Sequence, residues 1–194
     1  MSEMSDSAAK AKIGKRERLV ESARGLIHEQ GVHRTTLAEV AERADVPLGN
    51  VYYYFKTKDD LVGAVLDGYK QQAAALIQGF ERHRSPRARL KALVGSWDTM
   101  RETVARHGCP MGSLCSELDK LDGGADREAA AVLAIIIDWA EDQFRQLGRR
   151  DARDQALALF AGIQGAALLA NAFRDPTILT RQARHLERSV DALS

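Results

Sequence analysis

Apolar residues recur at every third or fourth position along most of this 194-residue chain. Near its start, Leu19, Ala23, Leu26 and Ile27 share one side of a helix with 3.6 residues per turn. Sustained period-2 alternation is absent and hairpin-type glycine or proline clusters are few, which argues against a β-sheet. The pattern predicts an all-α fold, and 45% hydrophobic residues in a chain of this length are enough for a buried core.

Capping and terminating signals divide the first 60 residues into three helices. Gly31 ends the first, and Thr36 followed by Glu39 forms a capping box that begins the second. The sequence Asp45-Val46-Pro47 interrupts the second helix, and a third is expected from about Leu48 to Phe55. Two short helices joined by a tight turn are the layout of a DNA-reading helix-turn-helix.

Three adjacent tyrosines occupy the third helix, although aromatic residues make up only 6% of the chain. At 100° per residue, Val51 and Phe55 share the buried face, Tyr52 and Tyr53 point away from it, and Tyr54 lies nearer the edge. Exposed tyrosines suit phosphates, sugar edges and thymine methyl groups, which a helix meets in a major groove. The alternative is that these rings pack on neighbouring elements.

The charge and hydropathy of the sequence indicate which partners the protein can bind and where in the cell it is found. The net charge of +1 argues neither for nor against nucleic-acid binding. Positive residues gather, however, at both edges of the first 58 residues, where they suit phosphate contacts or form a solvated helix face. Residues 1–14 lack an apolar core, so we expect a flexible basic tail and not a signal peptide. Uninterrupted apolar runs are far shorter than the ~20 residues of a membrane span. These features predict a cytoplasmic protein with no membrane partner.

Three longer helices follow. Thr57 and Asp60 can cap one that extends to about Phe80, another runs from Pro86 to about His107, and a third covers residues 129–147. Helical bundles usually hold ligands between their helices. The predicted pocket residues, whose alternative role is ordinary core, are Trp97, Met100, Met111, Trp139, Phe160 and Gln164.

Cysteine chemistry is concentrated in residues 107–115, HGCPMGSLC. Pro110 suits the first position of a helix, which places Cys109 at the N-cap, where backbone N–H groups favour a thiolate. His107 would lower the thiol pKa further, and Cys115 would lie ~9 Å along the helix, too far for an unstrained disulfide. Sensing through Cys109 would proceed by adduct, sulfenic acid or an intersubunit bond, but the sequence favours the alternative, a buried unreactive cysteine at a helix start.

The hypothesis that the protein is an enzyme has less support from the sequence. A thiol enzyme using Cys109 with His107 would lack an evident oxyanion site. The five histidines form no i,i+4 pair, and phosphate-loop and nucleophile-elbow patterns are absent. We predict no catalytic residues, metal or cofactor.

The stretch TTLAEVAERADVPLGNVYYYFKTKDDL, residues 35–61, resembles the DNA-binding domain of the TetR family of transcriptional regulators. The resemblance covers about residues 15–62. It implies a helix-turn-helix domain at 15–60 joined by a long helix to a ligand-binding and dimerisation domain within 61–194. A homodimer on a palindromic operator, acting as a repressor released by a small apolar or electrophilic effector, is the implied function. GCPMGSL also resembles a Gly-Cys-x-x-Gly motif from one branch, some of whose members respond to electrophiles or oxidants through this cysteine.

The resemblance also implies site residues. Those facing DNA would be Leu48, Gly49, Asn50, Tyr52, Tyr53 and Tyr54, with Thr36 and Lys58 touching phosphates. Many members carry a polar or basic residue where this chain has Leu48, which can contact a thymine methyl but cannot hydrogen-bond. Asn50 is therefore the best direct-readout candidate, since its amide can pair with an adenine edge for ~1–3 kcal/mol of discrimination.

Dimerisation is expected through the last two helices. Resemblance implies a four-helix interface, for which residues 158–169 offer small side chains and the segment after Pro176 offers a second apolar stripe. The alternative is an intramolecular core. The two stripes are Ala158, Ala161, Gly162, Gly165, Ala166 and Leu169, and Ile178, Leu179, Ala183, Leu186, Val190 and Leu193.

Overall fold

The computed structural model describes residues 14–118 and 125–193, and all regular elements in those ranges are helices. The predicted all-α class is confirmed. The predicted tail, residues 1–14, lies outside the described residues except for Gly14. The helices are α1 Lys15–Gln30, α2 Leu37–Arg43, α3 Leu48–Tyr54, α4 Lys58–Phe80, α5 Pro86–Thr99, α6 Arg101–His107, α7 Pro110–Leu118, α8 Ala125–Gln146, α9 Ala152–Phe173 and α10 Thr177–Asp191.

The chain forms two compact units, Met1–Gly68 and Tyr69–Ser194, so α4 begins in the first and ends in the second. The functional division expected after residue 60 stays a prediction. In the first unit, α2 packs on α1 and α3. Leu19 of α1, Val40 of α2 and Val51 of α3 are each fully buried there.

Local capping fixes the helix starts of the first unit. At α2, the Thr36 hydroxyl accepts the Glu39 N–H at 3.2 Å, and the Glu39 carboxylate accepts the Thr36 N–H at 2.8 Å. The start of α4 repeats this exchange, with Thr57 and Asp60 bonded at 2.9 and 3.1 Å. Both predicted caps are confirmed. Between α2 and α3, Asp45 adopts a left-handed conformation with φ of 53°, which turns the chain.

The second unit is a helical bundle in which α9 packs against α6, α8 and α10. One continuous helix was expected between Pro86 and His107, but the chain leaves helical geometry at Met100, where φ is −95° and ψ is 4°. That prediction is wrong. Apolar spacing persists through the break, with Trp97 and Val104 both in the core, so periodicity alone does not reveal it.

Candidate functional site

The third helix has one buried and one exposed face. Val51 and Phe55 are 0% and 2% exposed, whereas Tyr52, Tyr53 and Tyr54 are 49%, 76% and 36% exposed. The predicted orientation of these side chains is confirmed. Tyr53 and Tyr54 meet edge to face, with ring centroids 5.1 Å apart. A large amphipathic surface thus stands out from the first unit without being needed for its core.

The start of α3 adds further accessible groups to this surface. Leu48 and Gly49 are exposed and Asn50 is half-buried. Lys56, just after the helix, donates from Nζ to the Tyr52 carbonyl oxygen at 2.9 Å. We call Leu48, Gly49, Asn50 and the three tyrosines the α3 surface.

The two predicted phosphate contacts differ in availability. The Thr36 hydroxyl donates its hydrogen to the Glu39 carboxylate at 2.8 Å, so a phosphate must compete for it. This bond is the main reason that the pKa of Glu39 lies below its ordinary value. Lys58 donates to the His33 carbonyl oxygen at 3.3 Å, and its ammonium has two further hydrogens. Of the two predicted phosphate contacts, Lys58 therefore keeps more donor hydrogens available.

A cavity of about 80 Å³ lies among the helices of the second unit. It contains five of the six predicted pocket residues, namely Trp97, Met100, Met111, Phe160 and Gln164. Trp139 lies elsewhere: its ring packs on Phe80 at 5.5 Å and its Nε1 donates to Glu81 at 2.7 Å. The other lining residues are Tyr69, Gln72, Ala73, Leu76, Cys109, Pro110, Val132, Leu133 and Ile136.

One wall of this cavity comes from α4, and none of the residues in this wall was among the predicted pocket residues. Tyr69, Gln72, Ala73 and Leu76 follow the 3–4 spacing of a single helix face, and that spacing was visible in the sequence. The described lining residues carry no formally charged side chain. The polar side chains include the amides of Gln72 and Gln164 and the Tyr69 hydroxyl.

Two glycines give the cysteine segment its shape. Gly108 has φ of 82° and ψ of −177°, a conformation that is essentially restricted to glycine. A Cβ at Gly112 would lie 3.1 Å from Gln164 Oε1 and 3.5 Å from Cys109 Sγ. The absence of a side chain at residue 112 therefore lets the Gln164 amide approach the N-terminal end of α7.

Cys109 precedes α7 as predicted, and its sulfur accepts the Gly112 N–H at 3.2 Å. The thiol is buried, with 6% of the residue exposed. Burial raises the pKa of Cys109 above its ordinary value, outweighing the backbone N–H groups of Gly112 and Met111 and the Gln164 side chain, which act in the opposite direction. The expected lowering by the helix start and His107 is therefore wrong in sign. His107, half-buried, ends α6.

The second cysteine, Cys115, is half-buried on α7, and both cysteines are free thiols. Burial also raises the pKa of Cys115, with a further contribution from Cys109. Within the described residues no group of three metal-ligating side chains occurs.

The two predicted dimerisation stripes have different environments. On α10, Leu179, Ala183, Leu186 and Val190 are buried in the core of the same chain, so their assignment to an intersubunit face is corrected. On α9, Ala166 is also buried, and a Cβ at Gly162 would lie 3.3 Å from a Leu186 methyl. These residues hold α9 against α10.

The exposed side of α9 is nevertheless apolar. Leu157, Leu168, Leu169 and Phe173 are 43%, 69%, 47% and 69% exposed. Ala158, Ala161, Gly165 and Ala172 are exposed between them. We call these eight residues the α9 face. By length and composition α9 is also the one described helix that could cross a membrane, with a mean hydropathy of 1.7 over its most apolar window, of which 39% is buried.

Comparisons with known proteins agree with this geometry. A family model described as bacterial regulatory proteins, tetR family, matches residues 19–65, and one described as transcriptional regulator LmrA/YxaF-like, C-terminal domain, matches residues 86–185. An uncharacterised HTH-type transcriptional regulator of Mycobacterium tuberculosis is 31% identical over 185 residues, covering 89% of this chain and 94% of the relative.

Solved structures extend the likeness to both units. A TetR-family regulator from Agrobacterium tumefaciens is similar with a TM-score of 0.80 and 26% identity, covering 90% of this chain and 96% of the other. A TetR regulator from Legionella pneumophila has a TM-score of 0.83 at 19% identity, covering 91% and 97% of the two chains, which shows the fold.

A helix-turn-helix unit followed by a helical second unit defines a class of DNA-binding transcriptional regulators, and this class is not enzymatic. The chain belongs to the TetR family. This confirms the predicted family and non-enzymatic class.

Proposed function

We propose that the α3 surface reads operator DNA in the major groove. The observation that carries this proposal is the placement of three exposed tyrosines on a helix whose opposite face is fully buried. Their hydroxyls can bond phosphates, and Asn50 can pair with an adenine edge. Leu48 is 42% exposed and suits a thymine methyl group.

We further propose that the regulator binds a palindrome as a homodimer through the α9 face. A single short helix covers too few base pairs for a unique site, whereas two copies read half-sites ~34–36 Å apart or a multiple of that distance. Four large apolar side chains stand exposed on the α9 face. A large exposed apolar patch favours association, and α10 supports it from within each subunit. We place this function in the cytoplasm, where the DNA is.

An effector in the cavity is proposed to release the DNA, which makes the protein a repressor. The cavity volume of about 80 Å³ is smaller than the ~150 Å³ that accommodates benzene in a protein core. An effector must therefore push at least one wall outward. Since α4 supplies one wall and begins at Lys58 in the DNA-binding unit, its displacement would alter the spacing of two reading helices.

A thiol switch at Cys109 is the second candidate, because this residue lines the same cavity. Burial raises the pKa of Cys109, so the resting side chain is a neutral thiol, which is a poor nucleophile. The burial of Cys109 therefore favours a noncovalent effector. An electrophile would have to enter the cavity first and react there.

Footprinting on the DNA upstream of its own coding region tests the proposed function and separates the two candidates. We expect a protected palindrome that persists when N-ethylmaleimide is added. Loss of protection with wild type and Cys115→Ser but not with Cys109→Ser would establish the thiol switch instead. Equal sensitivity of both variants would point to structural damage. Absence of any protection, followed by failure to select DNA from a random library, would overturn the DNA-binding proposal.

A further inference from the structure

The amide nitrogen of Gln164 is a buried donor that has no hydrogen-bond partner in the described part of the chain. Gln164 lines the cavity, on α9. Buried polar groups are almost always hydrogen-bonded, and one that is not requires an explanation. A missing ligand atom is a direct one, because an acceptor that enters the cavity as its wall moves outward would satisfy this donor.

The Gln164 amide has its oxygen on the side of α7. Gln164 Oε1 lies 3.1 Å from the position that a Cβ at Gly112 would occupy. Nε2 is the end of the amide that has no hydrogen-bond partner among the described residues. The Cys109 sulfur already accepts the Gly112 N–H, and the Gln164 side chain acts on the same thiol and lowers its pKa. A neutral thiol is only a weak acceptor, however, and the Gln164 amide nitrogen makes no hydrogen bond of normal geometry with it.

The remaining lining defines the rest of the ligand. Trp97, Phe160 and Ile136 provide apolar and aromatic contacts, and the described lining contains no formal charge to pair with an ionic ligand. Transfer of a carboxylate or ammonium group into such a site is strongly unfavourable. Planar aromatic groups, by contrast, gain dispersion and edge-to-face contacts there.

We propose that the effector is an uncharged, largely apolar molecule, built on a small ring, with a hydrogen-bond acceptor that binds Gln164 Nε2. This inference rests on the proposed function, since it names the chemistry of the effector that releases DNA. It assigns Gln164 as the residue that distinguishes acceptor-bearing molecules from hydrocarbons. Cys109 needs no covalent role in it.

Three single-ring probes test the assignment on the full-length protein at pH 7. Acetophenone carries a carbonyl acceptor, α-methylstyrene replaces that oxygen with a CH₂ group at nearly the same shape, and benzoate adds a negative charge. Dissociation constants would be measured by ligand-observed NMR titration. The variant Gln164→Leu removes the donor, and Gln155→Leu makes the same substitution on α9 outside the cavity.

We expect wild type to bind acetophenone about fivefold to tenfold more tightly than α-methylstyrene, the ratio that one net hydrogen bond produces. The ratio of the two dissociation constants should fall to about one in Gln164→Leu and remain unchanged in Gln155→Leu. Benzoate should bind more weakly than either neutral probe. If Gln164→Leu does not fold, the preference of the wild-type protein for acetophenone still tests the assignment of Gln164.

Equal binding of acetophenone and α-methylstyrene by wild type would overturn the assignment of Gln164. So would a preference that survives in Gln164→Leu, benzoate as the tightest ligand, or no binding of any probe up to its solubility. A parallel operator titration without probe distinguishes the two proposals. Intact operator binding beside any of these results would remove the effector assignment and leave the DNA-binding function standing.

Discussion

Substituting Tyr53 with alanine should separate DNA binding from folding. Tyr53 is 76% exposed, and its ring meets Tyr54 in an edge-to-face pair at 5.1 Å. Such a pair contributes ~0.5–1.5 kcal/mol when buried, and less here, so the free energy of unfolding should fall by less than ~1 kcal/mol. A hydroxyl bonded to a charged phosphate contributes ~1.5–3 kcal/mol. Two copies in a dimer therefore give at least ~3 kcal/mol, a loss of about 150-fold in operator affinity.

Fluorescence anisotropy of a labelled operator duplex, across a salt series, measures this loss. Tyr53→Phe keeps the ring and removes only the hydroxyl, so it should reproduce most of the effect. Lys58→Ala is the matched electrostatic control: it should reduce the slope of log K against log salt by ~0.9 for each phosphate that is no longer neutralised, whereas Tyr53→Ala should leave the slope unchanged. Operator affinity of Tyr53→Ala within threefold of wild type would refute the placement of the α3 surface on DNA.

Three further outcomes follow from the second unit. Gly108→Ala should lower the free energy of unfolding, measured in urea, by ~1–3 kcal/mol, because residue 108 has a positive φ. Gly79→Ala is the control, since its added methyl group has open space and should not lower this free energy. Equal effects of the two substitutions would contradict a backbone role for Gly108. Iodoacetamide should modify Cys115 before the more buried Cys109. Since the pKa values of both thiols are raised, both alkylation rates should keep rising as the pH passes 9.0, the ordinary cysteine pKa. Faster alkylation of Cys109 than of Cys115 at pH 7 would restore the thiol switch. Leu168→Glu should give a folded monomer in sedimentation velocity, and an unchanged dimer would exclude the α9 face as the interface.

The raised cysteine pKa values also fix the sign of one contribution to stability. Unfolded chains release the Cys109 proton near pH 9.0, whereas the folded protein retains it. The contribution is therefore fully present below pH 9.0 and is lost as pH rises through the higher folded pKa. Cys109→Ser should flatten this part of the stability profile.

Features determined within a few residues of sequence could be predicted. The exchange between Thr36 and Glu39 needs only an oxygen at the N-cap and a carboxylate three residues later, and the structure contains it. The orientation of Val51 and Tyr53 follows in the same way from the helical period.

Features that depend on residues far away in the sequence could not be predicted from the sequence. Whether Leu186 faces a second subunit or its own core depends on the position of α9, and the hydrophobic stripe is the same in either case. The thiol pKa of Cys109 combines a local helix start with burial by other helices, and burial dominates. The Gln164 donor became visible only when its environment was known.

Selection of bound duplexes from a random DNA library is the decisive test of recognition by paired α3 surfaces. We expect an enriched palindrome whose half-site centres lie about one helical turn, ~34–36 Å, apart or a multiple of that distance. Enrichment should disappear with Tyr53→Ala at the same salt concentration. A consensus without dyad symmetry, or one that Tyr53→Ala selects as efficiently as wild type, would contradict recognition by paired α3 surfaces.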